Sequence, residues 1–197
     1  MRTFMRKEIA VTRKMLWLLM LVAVGAPAST SAHITPVVVL RKQADVIRQT
    51  LPGAVNFDVS TVKLSKTALQ KIQSRAHYTP DAADVRFYSG KDAKGAVVGM
   101  VVFPQVDTMH GPLEVGVTIS PSGALVSAMV TRATVETKSW VVEVERSGAL
   151  EKLKGETASD PPRTISGDGL SGMPGYIADS IATAAFRGLV LRSVLLP

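Results

Sequence analysis

Between residues 96 and 135 the chain leaves little choice of structure. Ala96 to Phe103 (AVVGMVVF) is a β-branched run, Gly111 to Ser120 (GPLEVGVTIS) sets Leu113, Val115, Val117 and Ile119 at every second position, and Ala124 to Val135 (ALVSAMVTRATV) is a third extended run. A period of two puts alternate side chains on one face, where a helix would scatter them. Pro121-Ser122-Gly123 is turn chemistry between the last two runs. Upstream, Asp84 to Tyr88 (DVRFY) followed by Gly90 to Gly95 (GKDAKG) predicts a hairpin with the first run. A longer loop is expected around Gln105 to His110.

Helical spacing brackets this block. From Val37 to Leu51, Leu40, Ala44, Ile47 and Leu51 recur on one side until Pro52-Gly53 stops the pattern. Ser65 to Ala76 reads as a short helix with Ser65 as its cap and Leu69 and Ile72 on one face. After Glu136-Thr137-Lys138, Ser139 is placed to cap a segment from Trp140, although Val141-Val142-Glu143-Val144 also suits a strand. Leu150 to Leu153 reads as a helical turn, and 155–165, with Pro161-Pro162, as a loop. Ile177 to Leu196 is the last helix, its inner face formed by Ile181, Ala184, Ala185, Leu189 and Val190. An antiparallel sheet flanked by helices is an α+β fold.

The first residues read differently. Arg2, Arg6, Lys7, Arg13 and Lys14 precede a 12-residue apolar run, Met15 to Ala26, and then the small residues of PASTSA. That is the order of a secretory signal peptide, with Thr30 and Ala32 suited to a cleavage site after Ala32. The run falls short of the roughly 20 residues that span a bilayer, so an uncleaved anchor is the lesser alternative. The expected organisation is therefore a signal peptide at 1–32, N-terminal helices and a first strand at 33–95, and the remainder at 96–197, in a periplasmic protein.

Charge and composition narrow the function classes. The whole chain carries +7, but 1–32 holds five basic residues and one acid, so the remainder carries +3. Its basic residues are scattered among acids, which is unlike a nucleic-acid footprint. There are no cysteines, so disulfides, thiolate metal sites and cysteine nucleophiles are excluded. His33, His77 and His110 lie far apart and show no metal-ligand spacing.

Residues 167–172 spell GxGxxG by letter. The dinucleotide fingerprint needs a preceding strand and an acid about 20 residues on, at the end of another strand. Here a helix is expected over 177–196, so that reading fails. The glycines Gly167, Gly169, Gly172 and Gly175 still crowd a helix entrance, where free N–H groups can receive an anion. They also suit a tight capping loop with Pro174 as an early helix residue. Trp140, the lone Trp outside the leader, suits either stacking on a planar ligand or a place in the core. His110 reads as a loop histidine without a nucleophile motif.

The order of pieces from Ala96 onward resembles the FMN-binding domain family. Its members include the small flavin-carrying subunits of the Rnf and sodium-translocating NADH:quinone reductase complexes. The stretches that carry the resemblance are KGAVVGMVV (94–102), GPLEVGVTIS (111–120), PSGALVSAMV (121–130), Val135-Glu136-Thr137, and DGLSGMP (168–174) before the final helix. The family writes the last as DAISGAT, and its Thr carries FMN through a phosphodiester. This chain has Met173-Pro174 where Ala-Thr stands, and proline has no hydroxyl for that bond. The resemblance implies an FMN-binding-domain-like fold in respiratory electron transfer, docking to a redox partner protein or membrane complex. With Pro174 at the attachment position, FMN is expected to be held non-covalently; the resemblance puts Ser171, Gly172 and Gly175 at the phosphate, and Glu136, Thr137 and Trp140 beside the ring or ribityl chain. The alternative is a flavin-free binding or assembly module of the same fold.

Overall fold

The computed structural model describes residues 35–167 and 169–196, so the signal-peptide reading of 1–32 and the position of Asp168 lie outside the described residues. From Thr35 the elements run as strand β1 (Val37–Val39), helix α1 (Gln43–Thr50), β2 (Asn56–Lys63), α2 (Lys66–Ala76), β3 (Asp84–Lys91), β4 (Val97–Val102), β5 (Gln105–Thr108), β6 (Gly111–Ile119), β7 (Leu125–Thr134), α3 (Lys138–Ser147), a 3-10 turn (Ala149–Leu153) and α4 (Gly172–Leu195). The seven strands form one antiparallel sheet ordered β1-β7-β6-β4-β3-β2, with β5 also on β6. The fold is α+β, as the sequence predicts.

β4 and β5 share one edge of β6. Met100 to Val102 pair with Val117 to Ile119, and Gln105 to Thr108 pair with Gly111 to Glu114. Phe103-Pro104 bends the chain between them. Proline has no N–H for a ladder, but its carbonyl still accepts the N–H of Val115 at 3.1 Å. The expected loop at 105–110 is thus mostly strand, with the turn confined to Met109 and His110.

Two further expectations are corrected. The predicted helix from Val37 to Leu51 forms only from Gln43, because Val37–Val39 pair with Arg132–Thr134 of β7. β-branched residues suit a sheet edge, and pairing there outweighs the helical spacing. The last helix begins five residues earlier than expected, at Gly172, with Pro174 in its first turn, where a missing N–H costs nothing. α2 matches its prediction: Ser65 Oγ accepts the Ala68 N–H at 3.1 Å.

Each face of the sheet is built for the helix that covers it. On one face Leu113, Val115, Val117 and Ile119 are fully buried, and α4 packs there with Ile177, Ile181 and Leu189 also buried. Each such side chain contributes roughly 1.5–3 kcal/mol. On the other face α1 lies over Gly116 of β6, and Leu51 and Ala54, just past its end, cover Gly99 of β4 and Gly90 of β3. A β-carbon at Gly99 would stand 2.8 Å from Leu51 Cδ2, and one at Gly116 2.8 Å from Val46 Cγ1. Glycine at these positions lets α1 and the segment that follows it sit against the sheet backbone. The Thr118 hydroxyl, on the same face, donates to Thr50 Oγ1 at 2.7 Å.

Candidate functional site

Three connections meet at one end of the sheet: the β5–β6 turn, the β7–α3 junction and the start of α4. The turn carries His110. Its ring Nδ1 lies 2.9 Å from Glu136 Oε1. Its ring also meets Trp140 edge-on, with centroids 4.9 Å apart and planes inclined by 64°. The N–H of Met109 donates to the Tyr176 hydroxyl at 3.1 Å, which ties the turn to the second turn of α4.

The turn itself is held from below. Thr134 Oγ1 donates to the His110 carbonyl at 2.8 Å and lies 3.1 Å from the buried Thr137 hydroxyl. Thr108 Oγ1 accepts the His110 N–H at 3.1 Å and donates to the Gly111 carbonyl at 2.7 Å. Gly111 has φ +100°, and a β-carbon there would come within 2.5 Å of Thr134 Cγ2. Both the conformation and the close approach require glycine. Thr137 also starts α3, which runs from Lys138, so Ser139 is not its cap.

The predicted site residues separate into two groups. Glu136 and Trp140 stand around His110, Glu136 exposed and Trp140 half-buried, while Thr137 is fully buried beneath them. Ser171 and Gly172 form the exposed entrance of α4. Ser171 precedes the helix with extended backbone and makes no side-chain capping bond, and Gly172 is left-handed at φ +60°. Gly175 serves packing. It is buried, and its α-carbon faces the Leu170 carbonyl and Ser166, which a β-carbon would meet at 3.2 and 3.3 Å. No direct bond joins the Ser171 group to the Glu136 group. Tyr176, one residue after Gly175, makes the connection through Met109.

The loop before α4 is fastened by a residue the sequence reading left out. Asp179 Oδ1 accepts the N–H groups of Ile165 and Ser166 at 2.7 and 2.8 Å. Gly167 N–H then closes a turn on the Leu170 carbonyl at 2.9 Å. His110 was legible as a loop residue, but its pairing across 26 positions with Glu136 leaves no local signal. The one available pointer was its place directly before Gly111-Pro112.

This end of the molecule can do three things chemically. It offers a half-buried indole for stacking, a carboxylate–imidazole pair for hydrogen bonding, and a helix entrance for an anion. A 24-residue helix carries partial positive charge at its N-terminus, and the first turn of α4 contains no acid to cancel it. Among the described residues no group of three or more His, Asp or Glu is arranged to hold a metal ion. No helix among them is long and apolar enough to cross a membrane. No family model, curated protein or solved structure matches the chain.

Proposed function

We propose that this is an exported, periplasmic FMN-binding electron-transfer protein of the FMN-binding-domain type, holding its flavin without a covalent bond. The observation that carries the reading is the meeting of His110, Glu136 and Trp140, with Tyr176 joining their turn to the helix that Ser171 opens. These residues belong to, or adjoin, the stretches in which the sequence resembles that family. The donor set suits the group. Ser171 Oγ and the first N–H groups of α4 would take the phosphate, and Trp140, His110 and Glu136 would contact the planar ring and its polar edge. The bound flavin would supply the redox chemistry, while the chain orients it and sets its electrostatic surroundings. Met173-Pro174 offers no hydroxyl for a tether.

The natural counterpart would be a redox partner protein or membrane complex, and the protein would act as a carrier of electrons rather than as a stand-alone enzyme. One observation favours a flavin-free binding module of the same fold. The packing of Gly175 against Leu170 and Ser166 gives that glycine a purpose without any ligand. The absorption spectrum of protein purified from its native host separates the two. Flavin bands are expected, and their absence from protein that also fails to take up added FMN would leave the binding-module reading.

A further inference from the structure

The sheet splits on the side away from β7, and the split leaves a cleft. The β3–β4 ladder pairs only Tyr88 to Lys91, so Asp84 to Phe87 have β2 on one side and, among the described residues, no strand on the other. Across the gap β5 pairs, among the described residues, with β6 alone. The space between is a cleft of about 370 Å³, lined by β3, by Phe103-Pro104-Gln105 and by the α2–β3 connection. That volume falls within the range of small-molecule sites, roughly 300–1,000 Å³.

Its lining is aromatic and rich in acceptors. Tyr88 and Phe103 meet edge-on with centroids 5.7 Å apart. Tyr78 already holds a cation, the Arg187 guanidinium 4.5 Å from its ring centroid. Burial pushes the Tyr78 phenol up, with Arg187 opposing that, so the ring adds no negative charge at neutral pH. Asp81 and Asp84 reach the rim, and neither has an ion-pair partner among the described residues. Gln43 donates one amide N–H to buried Glu114 at 3.0 Å, which leaves its second N–H and its amide oxygen for the cleft. The lining includes one cation, Arg86, which is exposed.

We propose that this cleft binds a small organic cation, a protonated amine on an apolar body, with the body against Tyr88 and Phe103 and the ammonium toward Asp81 and Asp84. Aromatic faces attract cations and apolar groups alike, and the two carboxylates select the charge. The site is separate from the His110 turn, which lies at the far end of β5.

The test is an NMR titration of the purified protein with 2-phenylethylamine, 2-phenylethanol and phenylacetate, which share one apolar body and differ in charge. The amine is expected to bind with a Kd below about 1 mM, ahead of the alcohol and then the acid, shifting Tyr88 and Phe103 signals. The double variant Asp81→Asn/Asp84→Asn, at exposed and half-exposed positions, keeps the parent's melting temperature. It should weaken the amine roughly three- to tenfold and leave the alcohol unchanged, as expected for partly exposed ion pairs. Equal binding of the three probes, an unaffected double variant, or no shift at about 10 mM amine would overturn the proposal.

Discussion

His110 and Glu136 lie 26 residues apart in sequence and 2.9 Å apart in space, and their contact closes the β5–β6 turn onto the start of α3. Trp140 packs against the same imidazole, so one histidine organises both a carboxylate and an indole at the end of the sheet. Glu136 is 44% exposed and the imidazole 22%, which makes the pair accessible to a ligand. A partly exposed pair contributes little to folding, about 0–1 kcal/mol. A role in binding is therefore separable from a role in stability.

Glu136→Ala is the corresponding variant. Its melting temperature should stay close to the parent's, because only the exposed pair is lost. Its FMN affinity should fall about tenfold, the value of one hydrogen bond to a charged group at roughly 1.5 kcal/mol. Thermal melts and flavin titrations on the same samples measure both. A large loss of stability with unchanged affinity would make the pair purely structural.

Export is checked at the N-terminus. The protein recovered from its native host should begin near His33 and be found in the periplasmic fraction, because the apolar run from Met15 is only 12 residues long. Intact-mass measurement after fractionation decides. A full-length chain confined to membranes would favour the uncleaved anchor.

Two acids in the 156–160 segment respond to pH in opposite senses. Asp160 accepts the Thr157 N–H and hydroxyl at 2.6 and 3.0 Å, and these bonds hold its carboxyl below the usual range. Its contribution is present above the ordinary Asp pKa, about 3.9, and is lost as pH falls through its depressed folded value. Glu156 is pushed up by burial, which outweighs Arg163 at 3.6 Å. Its favourable contribution is present below the ordinary Glu pKa, about 4.3, and is lost as pH rises through the raised value. Glu156→Gln should therefore raise the melting temperature at pH 7 and leave it unchanged near pH 3.5, whereas Asp160→Ala should lower it at pH 7. A Glu156→Gln variant that melts lower at pH 7 would show that the Arg163 pairing outweighs burial.

Gly188 tests the seating of α4 on the sheet. In an exposed helix Gly→Ala stabilises by about 1 kcal/mol. Here a β-carbon would lie 2.8 Å from Val117 Cγ1 and 2.9 Å from Val117 Cβ, inside the core. Overpacking of this kind costs about 1–3 kcal/mol. Gly188→Ala should thus destabilise in a denaturant titration, and a stabilised variant would mean that α4 stands further from β6 than described.

The central strands were legible because alternation and burial coincide there: Leu113 to Ile119 alternate in sequence and are buried in the sheet. β2 was not, because it is an edge strand whose Phe57 and Val59 face outward, 42% and 57% exposed, so its pattern marks no core. β1 was hidden in an apolar run shared with α1, and only its pairing with β7, some 95 positions on, makes it a strand. At the site, Glu136 and Trp140 were named from the sequence and do come together. His110 was read only as a loop histidine and Tyr176 was not singled out, since both act through contacts across the fold. Asp179 was invisible for the same reason: its carboxylate reaches back 14 positions to the N–H of Ile165.

The account rests on non-covalent flavin, and one titration addresses it most directly. Protein stripped of small molecules is titrated with FMN while flavin fluorescence is followed, and a saturated sample is then run on a denaturing gel. A Kd of about 1 µM or tighter is expected, because without a tether retention depends on intrinsic affinity alone. The denatured band should be dark. No binding at about 100 µM FMN would contradict the flavin assignment and leave Ser171 and Gly172 as a helix entrance without a ligand, while a fluorescent band would contradict the non-covalent mode.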